Sequence, residues 1–285
     1  MAIKRVSALS TGTVWIHPQH AASHGSPIAW WLATSRRWTE PLPISLFAIE
    51  HDQGLVLFDT GQDRRSVTDP DYFPGGLARL IYRRLARFEI GPDDTLTARL
   101  AGIGLDVADV RFAVLSHLHQ DHIGGLRELE GAEIIVSEAE WATVGRPGSE
   151  INGILTRHID LPGIRWRRVT PGVSSDPAIA PFTHAVDLFD DGSLLLLPTP
   201  GHTPGSLSML LRDEGFPPML FVGDLTYRLD LLEDGRIPGV GDAGLLRSTT
   251  AMVQELRRSM PDLVVLPAHD PGAAARLADA VGGRA

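Results

Sequence analysis

The run Ser116-His117-Leu118-His119-Gln120-Asp121-His122-Ile123-Gly124-Gly125 sets three histidines and an aspartate within six positions. It follows directly on an apolar strand pattern, Val110 to Leu115. A single buried histidine is usually satisfied by a hydrogen bond in the core. Four such groups side by side are costly to bury unless something compensates them, and a divalent cation does so best. Two positions apart, His117 and His119 reach one ion if the segment is extended or turned. Asp121 and His122 then face a neighbouring position. Gly124 and Gly125 let the backbone turn tightly into a following helix.

Further candidate ligands stand where other strand patterns end. His202 lies in Pro198-Thr199-Pro200-Gly201-His202-Thr203-Pro204-Gly205, after the run Ser193 to Pro198. Asp224 closes the run Met219 to Gly223, and His269 follows Leu263 to Pro267. Loops at strand ends can converge while the sheet stays rigid. Taken singly, each has an ordinary structural reading: a helix cap for Asp224, a loop hydrogen bond for His202 or His269. Together with the first cluster they point to metal.

Outward from these residues the chain reads as α/β. Strand patterns also cover Gly54 to Asp59 and Glu133 to Ser137, and Leu194 to Leu197 reads as a buried strand. Leu77, Leu80, Ile81, Leu85 and Phe88 share helical spacing beneath a face carrying Arg79, Arg83, Arg84 and Arg87. We read this as an apolar stripe under a solvated face. Asp93 or Asp94 is expected to cap a helix through Leu96 and Leu100 that ends at Gly102 and Gly104; a third helix runs from about Leu245 to Met260. No repeat or linker divides the chain, so one domain over 1–285 is expected. Its long excursion, 62–90, is placed to cover a site or make dimer contacts, with Tyr72, Phe73 and Phe88 as candidate pocket walls. The 26 Lys and Arg against 35 Asp and Glu give a net charge of −9, which disfavours nucleic-acid or anionic-membrane partners. There is no cysteine, so disulfides, thiolate metal sites and a cysteine nucleophile are excluded. No apolar run approaches a membrane span or a signal-peptide core, and a cytoplasmic location is expected.

On His117-x-His119-x-Asp121-His122 followed in order by His202, Asp224 and His269, the chain resembles the metallo-β-lactamase superfamily. The resemblance implies an αβ/βα sandwich of two mixed β-sheets flanked by helices, with a two-metal site at one edge. It implies that His117, His119 and His202 hold one metal and Asp121, His122 and His269 the other, with Asp224 bridging. Zinc is the expected metal, although His/Asp ligation also suits cobalt, manganese or iron. Branches with a cysteine ligand are excluded by composition, and the flavodiiron branch by His119 and by length. Tyr227, three positions after Asp224, is similar to a tyrosine of the N-acyl-homoserine lactonases, as are the intervals from His202 to Asp224 and from Asp224 to His269. The segment Ile90-Gly91-Pro92-Asp93-Asp94 resembles that branch too.

That likeness implies a quorum-quenching hydrolase that opens a neutral acyl lactone by attack of a metal-bridging hydroxide. Tyr227 would stabilise the oxyanion and Asp121 relay a proton. A glyoxalase II-like thioesterase or an organophosphate hydrolase on the same site is the alternative; a non-catalytic metal-binding protein would show eroded ligands. Two features depart from the branch. Gln120 stands where those lactonases place an aromatic. The stretch Trp15 to Trp38, with His17, His20, His24, Trp30 and Trp31, has no assigned role beyond a contribution of Trp30 or Trp31 to the pocket. Asp59 is read as structural support near the metals.

Overall fold

A computed structural model describes residues 2–282. Thirteen strands fall into two sheets. In chain order they are β1 (Ile3–Ile16), β2 (Leu42–His51), β3 (Gly54–Phe58), β4 (Ala86–Glu89), β5 (Val110–Val114), β6 (Glu133–Ser137) and β7 (Arg165–Val169). The second sheet is built from β8 (Gly172–Val173), β9 (His184–Asp187), β10 (Leu194–Pro198), β11 (Leu207–Asp213), β12 (Phe216–Gly223) and β13 (Val264–Pro267). The strand orders are β4-β1-β2-β3-β5-β6-β7 and β13-β12-β11-β10-β9-β8. Both sheets are mixed: β3, β5, β6 and β7 run parallel, as do β12 and β13, and the remaining pairings are antiparallel.

The two-residue period of the strands decides the layers. Leu194 and Leu196 face the first sheet, in one core with Phe47, Ile49, Phe58, Val114 and Ile135. Leu195 and Leu197 face the other way, onto the helix Ala243–Ser259 through Leu246, Val253 and Leu256. On the far side of the first sheet, Leu46, Leu55, Leu57 and Leu115 pack against Leu96, Leu100, Ile123 and Leu126. The result is helix, sheet, sheet, helix, the sandwich that the motif implied. Parallel β3 and β5 end at the same edge, and so do β10, β12 and β13. The loops carrying the candidate ligands therefore meet there.

Several local expectations need correction. Strands β1, β2, β4, β7, β8, β9 and β11 carry no strand pattern singled out in the sequence; β1 pairs with β2 and β4, so its Ser- and Thr-rich run is held from both sides. The arginine-bearing helix spans Gly76–Leu85 and stops before Phe88, which lies in β4 opposite Val14. Leu77 and Leu80 are 69% and 59% exposed, so the apolar stripe is not wholly covered by this chain. The helix Leu96–Ala101 is capped by Thr95, whose Oγ1 accepts from the Ala98 N–H at 3.2 Å. Asp94 instead accepts from the Gly91 N–H and pairs with Arg99. The last expected helix forms as Ala243–Ser259, with Asp242 as its cap. No helix among the described residues is long and apolar enough to cross a membrane.

Candidate metal centre and cavity

Seven side chains named from the sequence converge at the sheet edge. Their ligand atoms form three overlapping groups, each within 4.8 Å: His117, His119 and His202; His117, His122 and Asp224; Asp121, His122 and His269. His122 Nε2 and His269 Nε2 each lie 3.3 Å from Asp224 Oδ1, and His202 Nε2 lies 3.5 Å from Asp224 Oδ2. Asp224 thus sits between the other two sets.

The outward-facing nitrogens of His269, His119 and His122 are already committed, which fixes their tautomers. His269 Nδ1–H donates to the Pro43 carbonyl at 2.8 Å, and His119 Nε2–H to the Asn152 carbonyl at 2.9 Å. His122 Nδ1–H donates to Asp59 Oδ2 at 2.8 Å. Orientation of this kind aims the remaining nitrogen at a cation. Asp59 also accepts from the Ser116 N–H at 2.7 Å and from Ser116 Oγ at 2.9 Å, while itself held at φ +61°. It braces the His122 side of the site, in the supporting place expected of it.

Three buried atoms at the centre, His117 Nε2, His122 Nε2 and Asp224 Oδ1, have no hydrogen-bond partner. Buried polar atoms without partners are expensive, and the all-nitrogen-and-oxygen donor set suits a divalent cation. The residues present fit the metals the motif implies. Burial holds His117 and His202 well below the ordinary imidazole range, keeping them neutral. Burial acts on His122 and His269 in the same sense, but Asp224 outweighs it and raises both. Burial would raise Asp224, yet His269 and His122 hold it well below the usual carboxylate range.

Above the centre opens a cavity of about 860 Å³. Its floor includes His119, Asp121, Asp224, Tyr227 and Gln120. Its walls are mainly apolar, with Ile28 and Leu32 from one helix and Ile81 and Leu85 from another. The expected aromatic walls are elsewhere. Buried Tyr72 stacks on His158 with ring centroids 4.1 Å apart, and Phe73 packs on Tyr82. Trp31 is buried, Trp30 is 65% exposed, and the cavity takes Ile28, Ala29 and Leu32 from that helix instead. Phe88 is not among the lining residues either; it shares a strand face with Ala86, which is, and packs against the Val14 and Ile16 cluster.

Tyr227 Oη donates to Asp224 Oδ2 at 2.8 Å and contacts His20 Nε2 at 3.0 Å. The phenol has one proton, and it points at the carboxylate. His20 therefore carries its proton on Nε2 and donates to Tyr227. Burial lowers the His20 pKa to about 4, so the ring is neutral. Burial and the Asp224 charge raise the Tyr227 pKa well above its ordinary value, so the phenol keeps its proton. His20 had no role in the sequence reading, since nothing in Trp15 to Trp38 marks which histidine faces inward. His17 instead bonds the Arg37 and Arg84 carbonyls, and His24 lies exposed.

A second missed residue is Glu140. Ser137-Glu138-Ala139-Glu140 is a capping-box pattern, and half of the box forms: Ser137 Oγ accepts from the Glu140 N–H at 3.0 Å. The Glu140 carboxylate turns away from the helix, to the Leu118 N–H at 3.0 Å and the Gly205 N–H at 3.0 Å.

Residues 39–269 match the model of the metallo-β-lactamase superfamily. The chain belongs to the metallo-β-lactamase superfamily. Among relatives, it is 31% identical over 235 residues to the N-acyl homoserine lactonase AttM of Agrobacterium fabrum, covering 81% of this chain and 83% of that one. Among solved structures, it superposes on an AiiA mutant of B. thuringiensis with N-decanoyl-L-homoserine bound at its active site. That match has a TM-score of 0.75 at 21% identity over 95% of each chain. AidC, a dizinc quorum-quenching lactonase in complex with a product, gives 0.61 at 14% identity, over 95% of this chain and 91% of that one. At these identities the two structures show the fold. A superfamily of this kind implies divalent metal ions, and the clustered His and Asp side chains are where this member would hold them.

Proposed function

We propose that this protein is a metal-dependent lactonase that opens the ring of N-acyl-homoserine lactones. The observation that carries the reading is Tyr227, whose hydroxyl sits 2.8 Å from Asp224 at the floor of an apolar cavity. The relative of known name at 31% identity supports it. His117, His119 and His202 would hold one divalent ion and Asp121, His122 and His269 a second, with Asp224 shared. Bound there, the ions supply Lewis acidity and a water made nucleophilic at neutral pH. In this reading the metal is zinc and the role is quorum quenching in the cytoplasm.

The side chains then have separate tasks. Tyr227, protonated and oriented by His20, would turn its hydroxyl hydrogen from Asp224 to the carbonyl oxygen as negative charge develops. Asp121 lines the cavity and is the more exposed of the two carboxylates, with 17% of its side chain accessible against 4% for Asp224. In this reading it passes a proton to the departing ring oxygen. The excursion 62–90 supplies Ile81 and Leu85 as a wall for the acyl chain. Glutathione thioesters carry carboxylates that need several cations. Among the described lining residues Arg146 is the only arginine or lysine, which favours a neutral substrate.

The test is ring opening of a long-chain N-acyl-homoserine lactone by metal-loaded protein, followed as acid release. Turnover that disappears on chelation and returns with zinc is the expected result. No turnover, with both metals confirmed bound, would overturn the reading in favour of thioester or phosphotriester substrates.

A further inference from the structure

We propose that Glu140 is a positioning residue for the metal held by His117, His119 and His202, and that it selectively sets the affinity of that half of the centre. Glu140 is fully buried. No Lys, Arg or His pairs with it among the described residues. Its carboxylate is met by backbone N–H groups alone, at Leu118 and Gly205. A buried charge without a cationic partner is costly, so its place in the fold calls for a compensating role.

The two N–H groups identify that role. Leu118 lies between His117 and His119, and Gly205 lies three residues after His202 in the loop between β10 and β11. One carboxylate therefore ties together the two backbone segments that carry all three ligands. Those segments belong to different sheets, because His117 follows β5 and His202 follows β10. The contact is close. A Cβ on Gly205 would overlap the backbone N and Cα of Glu140, so the loop rests directly on the helix Glu138–Trp141. Ser137 Oγ adds a bond to the Gly205 carbonyl at 2.6 Å. The arrangement mirrors Asp59, which braces His122 and Ser116 on the other half. It also places a carboxylate behind three histidines whose nearest carboxylate, Asp224, is shared with the other half.

Glu140→Gln keeps the shape and removes the charge. Its amide NH₂ faces one of the two N–H groups, so only one bond survives. The full chain is loaded with zinc, dialysed against graded chelator, and its metal counted by mass spectrometry; the cobalt-loaded visible spectrum is recorded alongside. One metal equivalent is expected to leave at about 10–100-fold weaker chelation than in the parent. The second equivalent should leave as in the parent, and only part of the cobalt spectrum should change. Parallel loss of both metals, or retention of both with parental affinity, would overturn the proposal. If Glu140→Gln does not fold, Glu140→Asp, which keeps the charge on a shorter stem, is judged by the same selective loss. A lower melting temperature of the metal-free variant with unchanged metal affinities would show a purely structural role and overturn it too.

Discussion

At Tyr227 one oxygen both donates to Asp224 and accepts from His20, so its single proton is directed into the metal centre. Tyr227→Phe removes the donor and leaves the ring, which stacks on His269 at 5.3 Å. The expected outcome is metal content unchanged and kcat for lactone opening lowered by about 1–3 kcal/mol, as for one lost oxyanion donor. Steady-state kinetics on zinc-loaded protein check this; full activity would remove Tyr227 from the mechanism. His20 has a pH signature. Its folded pKa, about 4, lies below the ordinary 6.5. The stability it contributes is complete above the unfolded value and lost as pH falls from there toward the folded one. Between about pH 7 and about pH 5 the loss is of order 2 kcal/mol. Urea denaturation of His20→Gln should accordingly fall less over this range than that of the parent.

Short loops at the ends of rigid strands do the positioning at the scale of the element. The loop containing Gly153 rests on His119, whose Nε2–H it receives through the Asn152 carbonyl. Gly153 has φ +92°, and a Cβ there would overlap the His119 ring. Gly153→Ala is expected to destabilise the protein by about 1–3 kcal/mol through the left-handed backbone. It should also weaken zinc retention by displacing His119. Chelator titration separates the two effects, since strain alone would leave zinc affinity intact. The helix Gly76–Leu85 contributes differently: Ile81 and Leu85 turn to the cavity while Leu77 and Leu80 stay outside.

For the molecule as a whole, the centre lies where the two sheets meet. His117, His119 and His122 come from the first sheet and His202, Asp224 and His269 from the second, so bound metal links them. Removing metal with chelator is expected to lower the melting temperature; saturation at about a thousand times Kd is worth about 4 kcal/mol. Scanning calorimetry of metal-free and zinc-loaded protein measures the difference, and equal transitions would argue against metal bridging the sheets. Behind the centre, Phe221 packs between the sheets, 4.7 Å from the Phe47 ring and 5.8 Å from that of Phe58. Phe221→Ala should cost about 3–5 kcal/mol by burial lost and cavity left. Equilibrium unfolding gives that value directly.

What is local in the chain is legible from residue order alone. The metal cluster was legible because its ligands crowd into six positions after a strand, a density that ordinary packing does not favour. His202, Asp224 and His269 were legible because each closes an apolar run, and Tyr227 because it follows Asp224 by three. Strands β3, β5, β6, β10, β12 and β13 were legible from unbroken aliphatic stretches. The rest depends on contacts between distant segments. β1 is a strand because β2 and β4 flank it, a pairing that its mixed composition does not encode. Leu77 and Leu80 follow helical spacing, yet both stay largely exposed. His20 meets Tyr227 across 207 residues, and Glu140 reaches Gly205 across 65. Side-chain roles of that kind arise when two sheets bring distant loops to one edge, and no local pattern records which buried polar group will find which partner there.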